Sequence, residues 1–234
     1  MARDDWYRGA SWNRADQDQF WEKLKRARGA SSKAQYCRIK AVYLVGSRDK
    51  ALILAGIHIL EHLLENWPME TELALVYLLL AEANAALHKI PEAKEFFEKC
   101  LAQEAKRPNS RTQVNSDYPE FIVVNELKDS YDLARQLASK SIDTDGLTFV
   151  FQHFVFHGVM AIVHRERGEK LLAREHAQKA IDLTKQKYSG LRYHPEMGLV
   201  DTIRYAVLLK KIKAIAGARA RPWMAVLAKL KKSP

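Results

Sequence analysis

The chain has 234 residues, 47% of them apolar, with only 10 Gly and 7 Pro. That composition supports a substantial core, excludes wholesale disorder and favours long helices over a run of hairpins. The formal charge of +10 is local: residues 185–234 hold 12 of the 38 basic and 2 of the 28 acidic residues, which leaves the first 184 neutral.

Helical signals recur along the chain. Asn13 with Asp16 forms a capping pair for a helix ending at Gly29, with Phe20, Leu24 and Ala27 as its apolar stripe. The segment before it, "MARDDWYRGASW", lacks an apolar stretch of signal-peptide length. Its density of Trp6, Tyr7, Trp12, Phe20 and Trp21 is either a cover over an open core or an exposed docking surface. Ser32 with Gln35 reads as a capping box for a helix ending near Gly46, with Tyr36, Ile39, Val42 and Tyr43 along one side. Asp49 caps a helix to Asn66, stopped by Pro68. Its apolar run, 51–64, is too short to span a bilayer and carries His58, Glu61 and His62. Helices over 71–87 and from Pro91 to about Ala105 follow.

Residues 107–119, "RPNSRTQVNSDYP", are polar and rich in breakers, and read as a loop. A helix over 119–140, interrupted near Asn125, comes next, then a turn at 143–146. A long apolar helix reaches Arg167, with Gly168 at its corner, and its partner runs to Lys187. Two last helices are expected over 196–216 and 222–232, separated by Gly217. Cys37 and Cys100 sit in apolar helical patterns. They read as buried thiols, which favours a reducing, cytoplasmic setting.

The stretch 80–102 has a worn copy at 160–183. Leu80, Ala81, Asn84, Ala93, Phe97 and Cys100 fall on Met160, Ala161, His164, Ala173, Ala177 and Ala180. The offset of 80 residues equals two repeats of about 40 if an atypical pair lies between. A third copy is placed upstream on Val42, Tyr43, Ala55, Ile59 and His62. Small residues late in one helix and early in the next let two backbones approach, and each pair needs a neighbour to finish its core.

This pattern resembles the tetratricopeptide repeat in a degenerate form. Leu80, Ala81, Ala93, Phe97 and Cys100 match the family's small and large positions, Tyr77 stands where an aromatic is common, and Ala161, Gly168, Ala173 and Ala180 match as well. The opening "DDWYR", with "QYCRIKA" after it, resembles the start of uncharacterised bacterial proteins of this kind. The resemblance implies an all-α, right-handed solenoid of antiparallel helix pairs. Residues 1–31 would form an aromatic cap and helix, 32–188 the repeats, and 189–234 basic capping helices. It also implies a concave groove lined by Lys40, Leu44, Arg48, Leu78, Glu82, Ala85, Ile162 and Arg165. An acidic or amphipathic segment of another protein would suit it. The asparagines of the family's clamp for acidic chaperone termini are missing.

His153, His157 and His164 share one helical stripe. Three imidazoles so placed are a zinc candidate, against packed or hydrogen-bonded histidines. His58 and His62 with Glu65 form a second set. No nucleotide loop, nucleophile elbow, H-E-x-x-H or catalytic carboxylate pair is present, and Asp4–Asp5 reads as solvated. A non-enzymatic binding protein without cofactor is therefore expected, serving as adaptor, regulator or toxin antagonist. The alternative is a helical nucleic-acid-binding protein using Lys210, Lys211, Lys213, Arg219, Arg221, Lys229, Lys231 and Lys232. The last helix would set Trp223, Val226, Leu227 and Leu230 on one face. That face suits either closure of the core or an anionic surface.

Overall fold

The computed structural model describes residues 6–143 and 148–217. Among them the chain forms ten α-helices, one 3-10 turn and no strand. The helices are α1 (Arg14–Arg26), α2 (Ala30–Val45), α3 (Lys50–Asn66), α4 (Glu70–Ala86), α5 (Ile90–Lys106), α6 (Val114–Val124), α7 (Tyr131–Ile142), α8 (Val150–Glu166), α9 (Lys170–Leu183) and α10 (Ala206–Gly217), with the 3-10 turn at Lys128–Ser130. Packing divides the chain into two compact units, Met1–Val114 and Asn115–Pro234. The division falls inside the breaker-rich segment, at the start of α6.

The helix starts carry a period. The first helices of the pairs begin at Ala30, Glu70 and Val150, and the second at Lys50, Ile90 and Lys170. These starts repeat at 40 residues or twice 40, and α6 and α7 occupy the intervening slot. The buried residues keep the same period. Ala34, Ala41, Ile53, Leu60 and Leu63 in the first pair stand 40 residues before Ala74, Ala81, Ala93, Cys100 and Gln103 in the second, all of them buried. The upstream copy placed on Val42, Tyr43, Ala55, Ile59 and His62 is thus two residues out of register. Val42 and Tyr43 face solvent, whereas the equivalents of Leu80 and Ala81 are Lys40 and Ala41.

The corners repeat too. His88 and Gly168, 80 residues apart, both take left-handed backbone, at φ 58° and 79°. Around them the same bonds close the end of the first helix: Lys89 N–H to Asn84 C=O at 2.9 Å and Glu169 N–H to His164 C=O at 2.9 Å. These are the 6→1 bonds of a Schellman end. In the atypical pair Glu126 plays the part at φ 57°, with Leu127 N–H bonded to Ile122 C=O at 3.0 Å.

Small residues allow the close approaches. A Cβ on Gly56 of α3 would come within 2.8 Å of Val45 Cγ2 on α2, and one on Gly158 of α8 within 2.9 Å of Ile212 Cδ1 on α10. In the first unit α4 packs on both α2 and α3. In the second, α10 packs on both α8 and α9.

Several boundaries differ from the sequence reading. The Asn13–Asp16 capping box and the Asp49 cap form as expected. However, α2 starts at Ala30, before Ser32, with Gly29 at φ 79° as its N-cap and no side-chain cap. The loop after α5 ends at residue 113, not at Pro119, which lies inside α6. Burial of Val114, Tyr118 and Ile122 outweighs the amide that Pro119 lacks, and the Thr112 hydroxyl accepts the Val114 N–H at 3.1 Å. The second helix of the last pair stops at Leu183 rather than Lys187, where the Thr184 hydroxyl donates to Ile181 C=O at 2.7 Å. Residues 196–205 form turns instead of the start of a helix. Gly198 takes φ 75°, with the Phe149 ring where a Cβ would stand, and Asp201 accepts the N–H groups of Ile203 and Arg204. The expected turn at 143–146 and the expected helix at 222–232 lie wholly or mainly outside the described residues.

Because a Cβ on Gly168 would meet nothing within 4 Å, its left-handed backbone is the whole constraint there. Gly168→Ala is expected to lower stability by about 1 kcal/mol, and His88→Gly to raise it by about the same amount. Equilibrium urea unfolding checks both.

Candidate binding surface

The expected groove residues divide by burial. Lys40, Leu44, Leu78 and Ile162 are buried, so they are corrected from groove contacts to core residues. Glu82 and Ala85 are half-buried, and Arg48 and Arg165 are exposed. What α2 and α4 present to solvent instead is Val42 (42% exposed), Tyr43 (39%) and Leu75 (37%).

Arg38 of α2 pairs with Glu72 of α4, both side chains largely covered. That pair ties the two helices side by side. One turn further along each helix stand Val42 and Leu75, and half-buried Ile39 and Leu79 share those stripes. The result is an apolar strip with an ion pair at its N-terminal end. Leu44 lies on the side that α3 covers, with its Cβ 3.4 Å from where a Cβ on Gly56 would stand.

Lys40 has a different task. It is 3% exposed, and its ammonium donates to the carbonyls of Gly9 at 3.0 Å and Ser11 at 2.9 Å. It also lies over the Trp12 ring at 5.1 Å. Burial pushes its pKa down, and the nearby Asp16 carboxylate pulls it partly back. The aromatic opening therefore folds onto α1 and α2: Trp6 packs against Tyr7, Phe20 and Tyr36, and Trp12 and Trp21 against Phe20.

The expected histidine stripe is dispersed among separate partners. His153 Nε2 meets Thr148 Oγ1 at 3.1 Å, and His164 Nδ1 bonds the Glu169 carboxylate at the corner. His157 Nδ1 lies 2.9 Å from Nδ1 of His176, on α9. Burial pushes His157 down to about 4, with the neighbouring His176 adding to the effect, and lowers His176 as well. His176 escaped the sequence reading because its bond crosses the corner, where spacing along one helix is silent. His62 sits between Trp21 and Trp67, with His58 near Trp21. Among the described residues no group of three or more His, Cys, Asp or Glu side chains is placed to hold a metal ion.

Both cysteines are buried and unbridged. Burial pushes the Cys37 thiol up to about 12, which makes it a poor nucleophile. Lys210 and Lys213 are exposed on α10, whereas Lys211 pairs with Glu126. Arg219, Arg221, Lys229, Lys231 and Lys232 lie outside the described residues. A shallow depression of about 450 Å³ is lined by Gln186, Lys187, Glu196, Leu199, Val200 and Asp201, a mixed-charge set. No described helix is long and apolar enough to cross a membrane.

No family model matches the chain, and no curated protein or solved structure compared with it matches either.

Replacing Lys40 with Met keeps its stem and deletes both donors to the opening segment. Lys40→Met is expected to cost about 1–3 kcal/mol and to expose Trp6 and Trp12. Urea unfolding followed by tryptophan emission reads both effects.

Proposed function

We propose that the chain is a non-catalytic protein-interaction module that captures a segment of another protein on the α2/α4 face. The observation that carries this reading is the exposed strip of Val42, Tyr43 and Leu75, fixed in register by the Arg38–Glu72 pair. An apolar strip on two tied helices suits the apolar side of an amphipathic segment. The Arg38–Glu72 pair at the end of the strip is satisfied internally, so the captured segment has no counter-charge to supply there.

The 40-residue pairing period, the shared corner geometry and the stacking of α4 on its predecessors support a tetratricopeptide-like, right-handed solenoid as the scaffold. In that family the first helices of successive pairs line the binding groove. A cytoplasmic role as adaptor, regulator or antagonist fits this chemistry, as do the buried, unbridged cysteines.

The test is photo-crosslinking in cells with the reactive residue at Leu75, and at exposed Leu171 on α9 as a control. A discrete protein adduct is expected from position 75. It should persist after nuclease treatment and in high salt, and disappear with Val42→Asp. Because Val42 is 42% exposed, that change should cost no more than about 1–2 kcal/mol, which urea unfolding checks. Equal adducts from position 171, or an adduct indifferent to Val42→Asp, would remove the α2/α4 face from the proposal.

A further inference from the structure

Two pairs hold their helices together with a side-chain clasp at one and the same repeat position. In the pair α4/α5, Tyr77 and Phe96 stack across the hairpin with ring centroids 6.4 Å apart, inclined at 27°. Eighty residues on, the same two positions of α8/α9 carry His157 and His176. Their rings lie 5.0 Å apart and their Nδ1 atoms 2.9 Å apart. One hairpin is closed by a stacked aromatic pair. The other is closed by two imidazoles that change charge in acid.

We infer that the α8/α9 hairpin carries an acid-released latch, His157–His176, where α4/α5 carries a permanent aromatic clasp. The bond needs one Nδ1 to donate and the other to accept, so at least one imidazole must have a bare Nδ1. A first proton can be shared along the bond. A second leaves two N–H donors facing each other and two like charges in contact. The atoms balance without any other co-reactant: each step transfers one proton from hydronium to an imidazole nitrogen and releases a water molecule.

The surroundings offer little to absorb that charge. On α8, His153 is occupied by Thr148, and His164, bonded to Glu169, stacks on His176 at 5.4 Å. Phe156 meets both rings edge-on, at 5.0 and 5.9 Å. From α9, Lys179 acts on both imidazoles as a further positive charge, and among the described residues the Glu175 carboxylate acts to raise His176. The helix α10 meets α8 at Gly158 through Leu208 and Ile212. On α7, Asp132 is engaged by Arg167 from the end of α8, and the Ser141 carbonyl by Gln152.

The direction follows from linkage. Both imidazoles are lowered in the closed hairpin, so the open form binds protons first as pH falls below about 6.5. Closure is fully favoured above that value and is lost as pH falls toward about 4, the value for His157. Each proton held by the open form alone shifts the opening equilibrium by about tenfold per pH unit.

The experiment is hydrogen exchange on the full chain from pH 7.5 to 4.5, in EDTA and corrected for intrinsic rates, with imidazole ¹⁵N titration alongside. Opening of α8/α9 is expected to rise at least about tenfold relative to α4/α5, while both imidazoles titrate below 6.5. The double change His157→Tyr with His176→Phe copies the clasp of the other pair. It should give equal protection in the two hairpins at every pH. If that variant fails to fold, the wild-type titration still decides. Imidazoles titrating near 6.5 with unchanged protection, both hairpins opening together, or opening on EDTA addition at pH 7.5 would each overturn the latch, the last by assigning the pair to a metal.

Discussion

The close approach of paired helices governs the rest of this structure. Where Gly56 meets Val45, and Gly158 meets Ile212, there is no room for a Cβ. With Ala93, Ala173, Ala177 and Ala180 fully covered, each hairpin closes tightly along one side. Helices held this near cannot rotate without clashing, so the side that faces solvent is fixed by the side that must be small. The exposed strip on α2 and α4 is a consequence of that constraint, and so is the facing of His157 and His176 across their corner.

Tight pairing also places polar groups where each must be accounted for. Asn84, buried on α4, donates from Nδ2 to Leu80 C=O at 2.8 Å, and Cys100 Sγ to Ala74 C=O at 3.2 Å. Lys40 is the extreme case, an ammonium taken out of water and compensated by two carbonyls and a tryptophan face. Such compensation keeps a buried charge tolerable and makes the segment it holds dependent on it. The aromatic opening is thereby joined to α2 by a polar anchor as well as by ring packing.

The two clasped pairs share backbone geometry but differ in chemistry. The corner bonds repeat at 80 residues nearly distance for distance, while the clasp changes from Tyr77–Phe96 to His157–His176. A repeat scaffold allows this divergence because each pair is stabilised mainly by itself and its neighbours. Side-chain identity at one position can then change without altering the pairing.

Helix content, most helix starts, the caps at Asn13 and Asp49, and an 80-residue repeat across an atypical pair were all legible in the sequence. They rest on local rules: capping spacing, breaker residues and small residues at packed positions. The register of the first copy was not legible. Val42 and Tyr43 look apolar enough for a core, and Lys40 does not look buried until its carbonyl partners are in place. For the same reason Leu44, Leu78 and Ile162 were read as a surface and proved to be interior. Pro119 inside α6 and the turns before α10 likewise depended on burial rather than on propensity. Sequence alone determined that the chain would be helical hairpins with a recurring period. Which side of each helix meets water, and which imidazoles meet each other, was decided only by tertiary packing, because both depend on atoms supplied by distant segments.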